Sequence, residues 1–317
     1  MATPHASNRD QSQQVRTEVT TASDPRWCCE QLEAGQILVF PQTPIKLSTE
    51  DRDFLLNQQQ SDSSTHKNIS YRPKDDVLRG FAATEPAQVE RLHRVLRDFS
   101  QQSVALLTKV LAPYANRWKL DFASFRPIEE EGRDLPPNRR NDLMHVDAFP
   151  TRPTQGDRIL RFFHNVNPSQ PRVWLTTRRF QAVAEHFAQA AGLDRFARED
   201  GSLRQRAARA FAAVRRAMGM RAPVYSAYDR FMLQFHDYLK ATPEFQRNWP
   251  QIRLEFPPNS TWMVFTDSVP HGVLSGRCAM EQTLIVPESA LLSPGSSPRR
   301  VLENLCGRPL VHGRKAA

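Results

Sequence analysis

The sequence predicts an α+β fold, an antiparallel sheet or barrel decorated by helices. Three observations lead there. A long amphipathic helix pattern lies between Thr84 and Pro113, short extended runs follow from Leu120, and a mostly helical stretch at 178–249 interrupts them. Helices thus come first, strands follow, helices intervene and strands finish.

Taken in order, residues 1–24 are polar and rich in Ser, Thr and Gln, the composition of a disordered tail. Gln36 to Phe40 is a short apolar strand that stops at Pro41. Ser48 to Asn57 reads as a helix, with Ser48 or Thr49 as N-cap and Glu50 and Asp51 in its first turn. The polar stretch 59–80 has no clear period. The long helix can be capped by Thr84 and carries Pro86 in its first turn. Its Leu92, Leu96, Phe99, Ser103, Leu106 and Val110 step by four and three, which lays them on one face. The runs 120–126, 143–149, 158–167, 172–177, 252–256, 261–267 and 278–286 have strand composition, with turn residues between them. Helices are expected at the Ala- and Arg-rich 203–218 and the amphipathic 226–240. One domain over 25–290, with its helical insert at 178–249, is followed by a Ser-, Pro- and Arg-rich tail at 291–317. That tail has a helical turn or two near 299–306.

The 317 residues are 39% hydrophobic and 24% charged, enough to bury a core and too apolar for a wholly disordered chain. No run reaches the ~18–20 apolar residues that a spanning helix needs. Two of the four cysteines, Cys28 and Cys29, are adjacent and so unsuited to bridging each other, which suggests reduced thiols in a cytosolic protein. The first residues lack the apolar stretch of a secretory signal. Lys and Arg exceed Asp and Glu by 43 to 34, a net +9 that suits an anionic partner: nucleic acid, anionic lipid or an acidic sugar. Charge alone does not choose among them.

The chemistry starts at Leu143-Met144-His145-Val146-Asp147-Ala148-Phe149-Pro150. In an extended chain His145 and Asp147 point to one side, and Met144 and Val146 to the other. An imidazole and a carboxylate so placed are two of the three ligands of a facial iron(II) triad, which leaves three coordination positions open. His-x-Asp alone arises often by chance. The best third ligand is His271, where the strand ending Phe265-Thr266 runs into Pro270-His271-Gly272. His164 is its rival, although its side-chain parity is opposite to that of Arg161. His93, His186 and His236 fall in helical patterns. An oxygenase of this kind also binds 2-oxoglutarate, whose remote carboxylate needs a buried cation. Positions 281–284, ten to thirteen past His271, are Glu-Gln-Thr-Leu and supply none. Arg161 lies fourteen past Asp147 on a face shared with Ile159 and Phe163, and Arg277 is the second choice. Asn165 and Asn167 either add hydrogen bonds in the site or cap the strand end.

These segments resemble the Kdo hydroxylase family. The resemblance is carried by His145 to Thr154, Arg158-Ile159-Leu160-Arg161, Asn165-Val166-Asn167-Pro168, Pro270 to Gly276 and Glu281 to Pro287. Gly35 to Pro41 and Ile69 to Pro73 add to it, so that it covers roughly 35–310. It implies a double-stranded β-helix, or jelly roll, and an iron(II)- and 2-oxoglutarate-dependent dioxygenase that uses O2. The implied iron ligands are His145, Asp147 and His271. The implied reaction hydroxylates C3 of 3-deoxy-D-manno-oct-2-ulosonic acid (Kdo) in Kdo-containing lipid A, giving Ko. Lys67, Arg72, Arg139 and Arg140, with Arg126 and Arg152, are the basic residues expected to read its carboxylate and phosphates. A lipid substrate further implies a cytoplasmic enzyme in peripheral contact with the inner membrane, for which the Arg-rich 203–221 is the candidate surface, with no nucleic acid and no obligate protein partner. Two other readings stay open at this point: a 2-oxoglutarate hydroxylase of a protein or other polyanion, and a non-catalytic jelly-roll module for anionic sugars.

Overall fold

Two sheets, antiparallel except where β1 joins β2, face each other across an aromatic core, and helices cover what remains. The computed structural model describes residues 15–60, 68–130, 132, 134–199, 210–211, 214–215, 217–219 and 222–311. The large sheet has eight strands: β1 (Arg16–Glu18), β2 (Ile37–Phe40), β3 (Ile69–Arg72), β4 (Val77–Arg79), β5 (Lys119–Arg126), β6 (Arg158–Asn165), β9 (Thr261–Phe265) and β11 (Ala279–Val286). Their order is β1-β2-β9-β6-β11-β5-β3-β4. The small sheet, in the order β10-β7-β8, is built from β7 (Arg172–Thr176), β8 (Ile252–Phe256) and β10 (His271–Ser275). This is the jelly roll that the resemblance implies.

Side-chain alternation divides β6 between two environments. Leu160 and Phe162 turn to an outer core shared with α1 (Pro25–Glu33) and α3 (Pro86–Val110). Phe163, from the opposite face, packs between the sheets with Trp174, Leu254, Phe256, Trp262, Val264 and Val273. Arg161 shares that inward parity. The apolar face of α3 is buried as its spacing predicts, although Glu85 rather than Thr84 stands at its cap position. In α2 (Thr49–Leu56) the Ser48 hydroxyl accepts from the Asp51 N–H at 3.0 Å.

The tails depart from expectation. Residues 16–18 pair in parallel with β2, and Val15 and Val19 beside them are buried, so this part of 1–24 belongs to the sheet. Two isolated valines in polar sequence gave no pattern to read. The helix α1 also went unpredicted; Asp24 caps it, and its Cys28, Cys29 and Leu32 are buried in the outer core. At the other end α7 (Pro298–Cys306) buries Val301 and Leu302, and Leu310 follows them into the insert's core. Residues through 310 are therefore folded rather than tail. The insert holds α4 (Phe180–Phe187), α5 (Leu193–Glu199) and α6 (Ala227–Ala241). Most of the helix expected over 203–218 lies outside the described residues.

Candidate active site

The segment 143–149, expected as a strand, pairs only at His145, which exchanges backbone hydrogen bonds with His271 (3.0 and 2.9 Å). Its next partner is a side chain. Gln246 accepts from the Met144 N–H at 3.0 Å and donates to the Met144 carbonyl at 2.8 Å, doing what a neighbouring strand would do. The Asp147 N–H donates to Thr266 O at 2.9 Å. The backbone is thus held extended, and alternation follows: Met144 and Val146 enter the helical core, while His145 and Asp147 turn the other way. Gly272 permits the close approach, since a Cβ there would stand 2.7 Å from Asp142 O and 3.1 Å from Met144 N.

His145, Asp147 and His271 are all buried, with ligand atoms within 4.8 Å of one another. Both imidazoles are fixed in one tautomer. Nδ1–H of His145 donates to Leu143 O at 2.7 Å, and Nδ1–H of His271 to Val269 O at 2.9 Å, which leaves each Nε2 lone pair bare. Burial holds both rings below the ordinary histidine range, so both are neutral near pH 7. Burial alone would raise the Asp147 carboxyl; the Arg161 guanidinium, first among its partners, overrides this and holds it below the carboxylate range. Arg161 Nε lies 3.1 Å from Asp147 Oδ2, and Oδ1 faces His145 Nε2 at 3.8 Å, so one carboxylate oxygen is left for a metal. Two neutral imidazoles and one ionised carboxylate are the donor set that ferrous iron takes. His164 plays no part; it is buried in the sheet near the Thr43 and Thr261 hydroxyls, at 3.3 and 3.2 Å.

The triad opens on a cavity of about 290 Å³. Phe149, Phe163, Trp174 and Val273 form its apolar wall, and Arg126, Arg161, Arg172 and Lys240 bring cations to it. Arg161 is already spoken for, between Asp147 and Glu281 Oε1 (3.1 Å). Arg126 bonds Glu281 Oε2 at 2.6 Å. Arg172 differs: it is 1% exposed, its Nη1 donates to Gly276 O, and its buried Nε has no partner. Burial pushes its pKa down to about 10, with Arg126 adding to the effect. Glu129, Glu130 and Glu281 act on it electrostatically, but no carboxylate among the described residues is ion-paired to it, so this buried guanidinium fits an incoming anion.

Several expected site residues lie elsewhere. Arg277 is exposed and does not line the cavity. Asn165 caps the strand end, donating to Gln170 O, Phe256 O and Pro257 O and accepting from the Asn167 N–H. Lys67 lies outside the described residues, and its neighbour Asn68 lines the cavity. Arg72 sits over the Phe122 ring at 5.0 Å, and Arg140 is paired with Asp142. Neither these two nor Arg139 lines the cavity; from that loop Asn138 and Asn141 do.

Arg172, His236, Lys240 and Gln246 went unrecognised as site residues. His236 and Lys240 stand one helical turn apart on α6, a spacing that on its own reads as an ordinary helix face. Arg172 opens a short strand after Pro171, where nothing in the sequence separates a buried arginine from an exposed one.

A jelly roll that presents two histidines and one carboxylate to an open cavity defines a mononuclear non-heme iron centre of the oxygenase type. Within that class, the chain belongs to the 3-deoxy-D-manno-oct-2-ulosonic acid (Kdo) hydroxylase family, whose sequence model matches residues 14–309. It is 31% identical to the Kdo hydroxylase KdoO, described as a non-heme Fe(II) α-ketoglutarate-dependent dioxygenase. Against the KdoO complex with α-ketoglutarate and Fe(III), the match covers 95% of this chain and 99% of that one, with a TM-score of 0.79. Against the cobalt(II) complex the figures are 95%, 98% and 0.80. No curated protein matches the chain.

Proposed function

We infer that this protein is an iron(II)- and 2-oxoglutarate-dependent dioxygenase that hydroxylates Kdo, at C3 of the Kdo carried by lipid A. One observation carries the reading: a buried His145–Asp147–His271 set opens on a cavity that also holds Arg172, a buried arginine with an unpaired Nε and no ion pair among the described residues. When bound, iron with 2-oxoglutarate and O2 supplies the oxidation that turns C–H into C–OH and releases succinate and carbon dioxide.

This chain's own residues do the rest. The carbonyls of Leu143 and Val269 aim the two Nε2 atoms. Arg161 engages Asp147 Oδ2 and keeps the carboxylate ionised. Arg161 had been expected from its spacing to take the remote carboxylate of 2-oxoglutarate. Its two acidic partners leave it poorly placed, and Arg172 is the better anchor. Phe149, Phe163 and Trp174 keep water from the reacting face.

The anionic glycolipid is supported by a ladder of arginines and rings leading out of the cavity. Arg161 faces Phe149 at 5.6 Å, Arg152 faces Phe149 at 4.4 Å and Phe122 at 4.2 Å, and Arg72 faces Phe122 at 5.0 Å. Contact with a bilayer is supported by Phe211, Val214 and Met218, spaced three and four apart and 65%, 56% and 63% exposed. They sit in an Arg-rich stretch, as an interfacial segment would. The cytoplasmic face of the inner membrane is the proposed location. Among the described residues no helix is long and apolar enough to cross a membrane. The test is release of succinate from 2-oxoglutarate by the iron-loaded protein. Kdo-lipid A should accelerate it severalfold; no response to any Kdo-containing lipid would sink the substrate assignment.

A further inference from the structure

A third imidazole shares the cavity with the two metal ligands. His236 lies in α6, and its ring meets that of His145 edge-on, with centroids 4.7 Å apart. Its Nδ1–H donates to Val146 O at 2.8 Å, the same backbone tether that His145 and His271 have. The tautomer is therefore fixed with the Nε2 lone pair bare, and Nε2 has no hydrogen-bond partner among the described residues. His236 does not belong to the ligand cluster. It is an acceptor that lines the cavity beside a metal ligand without being a ligand itself.

The chemistry of the sugar acid says what such an acceptor meets. In a 3-deoxy-oct-2-ulosonic acid, C3 lies between C2, which bears the carboxylate, and C4, which bears a hydroxyl. Bringing C3 to the open side of the metal brings both neighbours into the same cavity. The carboxylate suits the cationic wall. The hydroxyl needs an acceptor, because an O–H buried without one loses its hydrogen bond to water with no replacement. The acceptors lining the cavity include Nε2 of His236 and Oδ1 of Asn68, the latter buried without a partner. His236 is the one in ring contact with a metal ligand, and so the one beside the reacting carbon.

We propose that His236 is a substrate-positioning residue whose Nε2 accepts a hydrogen bond from the C4 hydroxyl of Kdo. This deepens the function proposed above and rests on it. The bond selects sugar acids with a hydroxyl next to the oxidised carbon and fixes C3 against the metal.

The test compares Kdo-lipid A with its 4-deoxy analogue, using wild type, His236→Phe and His236→Gln. Phenylalanine keeps a ring against His145 and removes the acceptor; glutamine returns one. Wild type should favour the parent lipid about tenfold in kcat/KM, and His236→Phe should lose that preference. His236→Phe should also release more succinate per hydroxylated Kdo, and His236→Gln should recover part of both. A preference that persists in His236→Phe overturns the assignment, as does a wild type that treats both lipids alike. Equal loss on both lipids, with weaker cobalt(II) binding, would make His236 a support for His145 instead. If wild type hydroxylated neither lipid, the function itself would fall, a result distinct from all of these.

Discussion

His145 and His271 exchange two backbone hydrogen bonds, at 3.0 and 2.9 Å, and their rings stand 4.8 Å apart. One short antiparallel contact therefore sets the separation of two metal ligands distant in sequence. Gly272 makes it possible, because a Cβ would press on Asp142 O at 2.7 Å. Gly272→Ala should force these backbones apart and weaken cobalt(II) binding at least tenfold while the fold survives. Titration of the metal followed by absorbance checks it, and unchanged affinity would show that the contact has slack.

The ligand set predicts its own knockouts. His145→Ala, Asp147→Ala and His271→Ala should each abolish hydroxylation, and Asp147→Asn should fail as well, since a neutral amide is a poor ligand for iron(II). Circular dichroism verifies folding. A folded variant with near-wild-type product formation would remove that residue from the set.

Arg172→Met should raise the apparent KM for 2-oxoglutarate by tens- to hundreds-fold, the loss of a charge-assisted pair. Arg161→Met should act mainly on the metal, because Asp147 loses the guanidinium that holds it ionised. Steady-state kinetics with metal titration separates the two. If Arg161→Met gave the larger KM effect, the anchor would revert to Arg161.

Acid should destabilise the metal-free fold over a definite window. Burial pushes His164 and His236 down to about 4, whereas in the unfolded chain each takes its proton near 6.5. Between those values the unfolded state binds more protons, so stability rises with pH. It is fully present above about 6.5 and is lost as pH falls toward 4. Thermal melts in chelator across this range should show Tm dropping steadily. Metal uptake near pH 7 should release few protons, because burial favours the neutral form of both imidazoles and Arg161 keeps Asp147 ionised. Calorimetry in buffers of different ionisation enthalpy reads this directly.

The exposed apolar trio predicts a lipid effect. Phe211→Ser with Met218→Ser should reduce co-sedimentation with phosphatidylglycerol vesicles severalfold. Equal sedimentation of variant and wild type would disconnect these side chains from the bilayer.

Much of the site was legible because its chemistry is periodic or local. His145 and Asp147 follow the two-residue period of an extended chain, and Pro270-His271-Gly272 marks where an apolar strand ends, although not that His271 opens a strand of its own, β10. The long helix showed in the three-and-four spacing of its core residues. What stayed hidden depends on tertiary partners. Gln246 replaces a strand across about a hundred residues of chain. Arg161 sits in an eight-residue strand and Arg172 in a five-residue one, and only packing shows that Arg161 is ion-paired to Asp147 and Glu281 whereas Arg172 has no ion pair among the described residues. The loop arginines 139 and 140 lead straight into the ligand segment, yet Asp142 takes Arg140, and the side chains that reach the cavity are Asn138 and Asn141.

In the proposed reaction this cavity places an oxygen atom from O2 on C3 of Kdo. Purified protein with iron(II), 2-oxoglutarate and Kdo-lipid A, under isotopically labelled O2, tests it by mass spectrometry of the released sugar acid. One labelled oxygen should appear on Kdo at C3, formed together with succinate and absent with Asp147→Ala. Succinate formation with no oxygen gained by Kdo, or label on another part of the lipid, would contradict it.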